Sequence, residues 1–303
     1  MKPKWIFATL LLVATLAAFW FLRPETGSGA LGACAHALTG EILAYGPRPP
    51  GSEALGKVKI HLAKELYANG WETASQEFER DTPIGKVKFS NLRARLKVAG
   101  KDTWTRDVKG LLCAHIDSKY FKDKEFLGAD DAASACAAMV LIAKHLTETD
   151  GDKAEQLELV FFDGEEAFAK DMTILDGLYG SRWYANTWRA QESKPEFGIL
   201  LDMIGHKDLR IRIPSDSPKD LAERMFSAAK EQGVEAHFGT APGSIMDDHV
   251  PLNLIGIPTI DIIGDFSRKG WWHTAGDNGA IISAESLGIS IEVVLEMLDG
   301  LLK

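Results

Sequence analysis

The sequence predicts a three-layer α/β/α sandwich around a central mixed, mostly parallel sheet, and three observations carry that prediction. Short apolar runs without polar alternation, Val108–Asp117 and Leu157–Phe162 among them, read as strands buried on both faces. Stretches with helical spacing lie between such runs, the order expected when crossover helices join parallel strands. Isolated acids and one histidine stand beyond the apolar runs: Asp131, Glu165, Glu166, Asp202 and His273. In an open α/β sheet, residues past the carboxyl ends of the strands converge on one crevice.

The elements follow in order. Residues Trp5–Leu22 are apolar apart from two threonines, with Lys2 and Lys4 before them and Arg23 after. A run of this length is at the lower edge of what spans a bilayer, and the leading lysines orient it with the N-terminus in the cytoplasm. The expectation is a signal anchor that holds the rest of the chain outside the cytoplasm, in a periplasm or secretory lumen, or a cleaved signal that leaves it secreted. RPETGSG then reads as a linker, which makes residues 1–33 anchor and linker and 34–303 a single catalytic domain, expected to be monomeric. From Glu53 to Asn69, Ala54, Val58, Leu62 and Leu66 recur at four-residue steps and Gly70 supplies a stop, the pattern of an amphipathic helix. Trp71–Glu79 and Lys86–Val98 alternate like a pair of half-buried strands. Ala132–Leu146 is small and apolar enough for a helix packed closely on the sheet. Phe197–Asp202 and Ile257–Ile263 read as further core strands, and Asp220–Gln232 and Ala284–Leu302 as helices.

Composition narrows the function. At 303 residues and 46% hydrophobic, the chain can bury a full core. The formal charge is −9, and residues 1–23 contain no acid, so the remainder holds all 43 acids. An acidic body excludes nucleic acid as the partner, since phosphate binding needs a basic face. Three cysteines cannot build a four-cysteine zinc site. Two carboxylates and a neutral imidazole, by contrast, suit a catalytic zinc with an open fourth position. The adjacent pair Glu165-Glu166 lets one carboxylate bind metal while its neighbour handles protons, and such a pair is costly without a cation. His115 and Asp117 are two apart on a strand and face one way, as ligands or as their supports. Asp131 at the start of a predicted helix has the alternative role of an N-cap.

Several segments resemble the zinc-type glutaminyl-peptide cyclotransferases of animals and bacteria, which share a fold with zinc-dependent aminopeptidases. They are DSKYF (117–121), GADDAAS (128–134), FFDGEEAF (161–168), LYGSR (178–182), LLDMIG (200–205), DDHVP (247–251) and WHT (272–274), with YGPRPPGS (45–52) and FSNL (89–92) upstream. The resemblance implies an acyltransferase that closes N-terminal glutamine of peptides or proteins into pyroglutamate and releases ammonia. It implies one Zn2+ per chain on Asp131, Glu166 and His273, with Glu165 as general acid/base. Asp202 then matches the carboxylate that binds the substrate α-amine, Asp247 a neighbour coupled to it, and Trp272 a wall of the pocket. His115 matches a second-metal ligand of the aminopeptidases that is not a ligand in the cyclases.

The chain also departs from that pattern. Asp171 stands where the animal cyclases have a pocket tryptophan, so another wall is expected from Phe266, Trp271 or Trp183. Asp261 replaces a histidine near the active-site network. Cys136 matches one half of a disulfide of the animal members, but Cys113 is one residue out of step, which turns it to the other face of its strand. A two-zinc aminopeptidase is the nearest rival, and a catalytically dead binding ectodomain a more distant one.

Overall fold

The structure is a computed structural model that describes residues 28–267 and 270–302. Its first element is a helix that crosses the expected domain boundary, α1 (Ser28–Leu43). The amphipathic helix follows as α2 (Glu53–Ala68). Ser52 caps it by accepting from Leu55 N, and Leu55, Val58, Leu62 and Leu66 form its buried stripe. Gly70, at φ 86°, ends it in a left-handed conformation that costs glycine nothing.

The main sheet has six strands in the order β1 (Trp71–Thr82), β2 (Gly85–Leu96), β4 (Leu157–Phe162), β3 (Gly110–His115), β5 (Phe197–Asp202) and β8 (Thr259–Ile263). β1 and β2 pair antiparallel, as does β2 with β4, while β4, β3, β5 and β8 run parallel. The predicted mixed, mostly parallel sheet is therefore observed, and every residue of its four parallel strands is buried. β6 (Ile211–Ile213) and β7 (Phe238–Thr240) form a separate small ribbon.

Alternation along the strands splits the interior into two layers. Leu112, Ala114, Ile199, Leu201, Ile260 and Ile262 face a large core built with α1, α2, α3 (Ala135–Thr149), α6 (Lys219–Glu231) and α8 (Ala284–Leu301). Leu111, Cys113, Val160 and Leu200 face a smaller one with α5 (Tyr179–Trp188) and α7 (His249–Leu254). A short α4 (Gly151–Glu155) leads into β4. Cys113 and Cys136 thus belong to opposite layers, and both are free thiols. Cys136 Sγ instead donates to the carbonyl of His115 at 3.1 Å.

One expectation is corrected. Among the described residues no helix is long and apolar enough to cross a membrane. The longest, α8, carries Glu285, Glu292, Glu296 and Asp299, and packs one side into the core. The membrane contact, the signal anchor and the membrane-held extracytoplasmic placement are accordingly withdrawn. The segment 5–22 on which they rest lies outside the described residues.

Candidate active site

Strand order delivers the polar residues to one edge of the sheet. β3 is the switch point: the chain leaves it for β4 on one side and returns to β5 on the other. Its end carries His115 and, two residues on, Asp117, both buried. Asp117 fixes the turn after β4, because Oδ1 accepts from Gly164 N (2.9 Å) and Glu165 N (3.2 Å) while Oδ2 accepts from Glu166 N (3.4 Å). One carboxylate thereby sets the direction of both glutamates. Asp202 is the last residue of β5.

Asp131 lies in a π-helical turn, Ala129–Ser134, ahead of α3. It adopts non-helical angles (φ −106°, ψ 80°) inside the turn, and the cap positions belong to Gly128 and Ser134, so Asp131 is not a helix cap. Its backbone is held by Asp277, whose carboxylate accepts from Asp130 N at 2.8 Å and Asp131 N at 3.2 Å. His273 reaches in from the loop after β8 at a left-handed φ of 54°. Phe121 and Phe126 meet its ring edge-on, and Lys124 Nζ donates to its carbonyl at 2.6 Å.

These constraints bring three donor groups together. His273 Nε2 is 3.1 Å from Glu166 Oε1 and 3.5 Å from Asp131 Oδ2. Asp131 Oδ2 is buried and has no hydrogen-bond partner among the described residues. An orphaned carboxylate oxygen beside a second carboxylate and an imidazole fits a divalent ion that prefers mixed nitrogen and oxygen donors. Asp131, Glu166 and His273 thus form a cluster able to hold a metal ion. A second cluster shares Asp131 and adds His115 and Asp202. There His115 Nε2 is 3.1 Å from Asp131 Oδ1 and 3.3 Å from Asp202 Oδ1. Lys119, absent from the expected site, is buried beside Glu166, with Nζ 3.1 Å from Oε2 and donating to the Ala167 carbonyl at 2.9 Å. Its place inside the DSKYF segment is the signal that could have pointed to it. Asp277 had only its spacing of four from His273 to mark it.

The clusters open into a cleft of ≈ 330 Å³. Glu165, Asp202, Asp247, Phe266 and Trp272 all line it, so each remaining candidate residue meets the same space. Trp272 stacks on His273, ring centroids 3.9 Å apart, and the Phe266 ring is tilted against Trp272 with centroids 4.9 Å apart. Neither Trp271 nor Trp183 is among the lining residues. Trp271 is buried against Met203 and Ile263, and Trp183 stacks on Phe78 far along the hairpin. Asp171 does line the cleft, together with Met172, Ile245 and Met246, which supply apolar surface that the sequence did not single out. Burial pushes the Glu165 carboxyl well above the usual range against the pull of His115, and Glu166, Asp247 and Asp248 add to the rise. Burial likewise raises Asp202 well above its ordinary value, here against a hydrogen bond from His115.

Comparison with known proteins agrees with this arrangement. Residues 91–298 match the model of peptidase family M28. A glutaminyl-peptide cyclotransferase of the snake Boiga irregularis is 30% identical over 271 residues, covering 77% of this chain and 70% of its own. The crystal structure of an Acidobacteriales bacterium glutaminyl cyclase superposes with a TM-score of 0.79 at 30% identity, over 93% of this chain and 97% of its own. A zinc-dependent exopeptidase from Parabacteroides distasonis superposes at 0.78 with 27% identity, over 88% and 97%.

Proposed function

Because the chain belongs to peptidase family M28, the superfamily that glutaminyl cyclases share with zinc exopeptidases, we propose that it is a glutaminyl-peptide cyclotransferase. Its reaction converts the N-terminal glutamine of peptides or proteins to pyroglutamate. The α-nitrogen bonds to the γ-carbon, the γ-carbon–nitrogen bond breaks, and ammonia leaves. The observation that carries this reading is the convergence of Asp131, Glu166 and His273 at a cleft that Glu165, Asp202 and Asp247 also line.

Asp131, Glu166 and His273 would hold one zinc ion per chain, and when bound it supplies Lewis-acid polarisation of the γ-carbonyl. Asp202, with Asp247 beside it, receives the α-amine. Glu165 takes a proton from that amine and returns it to the departing nitrogen. A carboxyl lifted by burial toward the working pH is suited to both halves of that exchange. Trp272 and Phe266 wall the slot for the glutamine side chain, which favours the folded geometry of a five-membered ring over the many extended rotamers. We assign residues 34–303 to one catalytic domain. The direct test is incubation with a Gln-initiated peptide, read by mass for loss of ammonia; an unchanged peptide would remove the assignment.

One observation favours a second reading. His115, Asp131 and Asp202 could hold another ion, the arrangement a two-metal aminopeptidase needs. Release of the first residue as a free amino acid, with activity that tracks a second zinc, would establish that reading instead.

A further inference from the structure

Beneath the ends of β5 and β8 lies a group of buried polar side chains that the reaction above does not use. Asp261 interrupts the apolar strand β8 and is fully buried. His249, the first residue of α7, is also fully buried. Its Nδ1 stands 3.6 Å from Asp261 Oδ2, and its Nε2 stands 3.5 Å from Asp216 Oδ2. Asp216 lies in the turn ahead of α6, with its side chain 38% exposed. Neither nitrogen of His249 and neither oxygen of Asp261 has a hydrogen-bond partner among the described residues. Leaving such atoms unpaired costs about 1–3 kcal/mol each, so a line of them that runs from behind the cleft to the surface calls for a use. Both gaps exceed a hydrogen bond by only a few tenths of an ångström, and a small turn of the imidazole closes either.

We propose that Asp261, His249 and Asp216 form a proton exit from the floor of the cleft to solvent. The inference rests on the cyclase reading and deepens it. A free α-amino group has a pKa of about 7.7–8.0, so at neutral pH most peptides arrive as ammonium ions, which have no lone pair for attack. Cyclisation itself is proton-neutral, since the amine gives up one proton and the leaving nitrogen gains one. The extra proton of the ammonium must leave before the reaction starts. It passes from the ammonium to the Asp202–Asp247 pair, then to Asp261, then to His249 Nδ1 while Nε2 releases its own proton to Asp216, and from there to water. One proton leaves for each ammonium bound, and the ammonia released takes one up in solution.

An imidazole suits the middle position because it accepts at one nitrogen while donating from the other. Asp261 stands opposite Leu200 in the β5–β8 register, two residues before the pair of Asp202 and Ile263, so that Asp202 and Asp261 project from the same face of neighbouring strands. The charged groups on elements packed against α7 are Asp261 of β8, Asp202 of β5 and Arg182 of α5, with Asp216, Asp247 and Asp248 in the adjoining turns.

The test compares the zinc-loaded wild type with Asp216→Asn and His249→Gln, following cyclisation from about pH 6 to about pH 9. Two units below its pKa only about one α-amine in a hundred is neutral, so both variants should lose up to about 100-fold near pH 6 and almost nothing near pH 9. Imidazole buffer at high concentration should restore much of the Asp216→Asn rate at the acid end. A loss that is equal at every pH, or no loss at any pH, overturns the exit. A thermal melt identifies a His249→Gln protein that has merely lost its fold, and the surface variant Asp216→Asn then decides alone. An active wild type with pH-independent variants sinks only the exit. A wild type inactive on Gln-initiated peptides at every pH removes the cyclase reading and the exit together.

Discussion

Glu158, near the start of β4, and Asp202, at the end of β5, are buried acids on strands that flank β3, and the fold treats them in opposite ways. Glu158 receives Arg93 Nε at 2.5 Å and the Tyr184 hydroxyl at 3.1 Å on one oxygen, and Arg95 Nε at 2.6 Å on the other. Both arginines come from β2, the neighbouring strand, where Arg95 pairs with Glu158 in register. Around Asp202 the sequence supplies more acids instead: Asp247, Asp248 and Asp261 are all buried, and each has at least one oxygen without a hydrogen-bond partner among the described residues. Burial raises Asp202, Asp248 and Asp261 well above the ordinary carboxylate range. A charge that serves the fold is closed off with counter-charges. On the proposed reading the acids around the cleft are left short of partners at a cost in stability, so that metal and substrate can supply the missing contacts.

Substitutions on the two sides should therefore separate activity from stability. Glu165→Gln should lower turnover by about 10²–10⁴-fold, the usual contribution of general acid–base catalysis. The melting temperature should hold or rise, because a buried charge beside other acids has been removed. Bound zinc, measured by elemental analysis, should be unchanged. Glu158→Gln should do the reverse, destabilising the protein by about 3–5 kcal/mol in denaturant titration because Arg93 and Arg95 lose their counter-ion. Its turnover per folded molecule should stay normal. If Glu158→Gln abolished activity in the folded fraction, the division between the two regions would collapse.

Asp117→Asn probes the boundary between them. It weakens the three backbone contacts that aim Glu165 and Glu166 without touching either side chain. Loss of such outer support typically costs about 10–100-fold in metal affinity, measurable by competition with a chelator. Trp272→Ala should have the smallest effect, a reduced rate with zinc retained and a similar loss for peptides differing in their second residue. A strong dependence on the second residue would mean that the cleft reads further along the peptide.

Much of this contrast is legible in the sequence, for a physical reason. Strands buried on both faces are apolar throughout, so an acid just beyond one, such as Asp202 or Glu165, stands out sharply. The predicted strands Leu157–Phe162 and Phe197–Asp202 appear with those bounds. Helix α1 is harder to read because it is rich in glycine and alanine, although Ala35, Leu38 and Ile42 mark its buried side. A Cβ at Gly32 would come 2.0 Å from the Ala284 carbonyl, so that glycine is needed for close packing on α8. α5 and α7 are too short for a helical period to declare itself. The cleft walls were the least legible part. Adjacent tryptophans diverge, Trp271 into a core and Trp272 onto the ring of His273, and nothing in the pair itself marks which goes where.

On the cyclase reading, Asp131, Glu166 and His273 are left open for one zinc ion that makes the cleft a cyclase. Adding zinc stepwise to metal-free protein while following cyclisation of a Gln-initiated peptide tests it most directly. Activity should climb through the first equivalent per chain and then stay level. A rate that appears only with the second equivalent, or peptide that loses its first residue rather than ammonia, would contradict it.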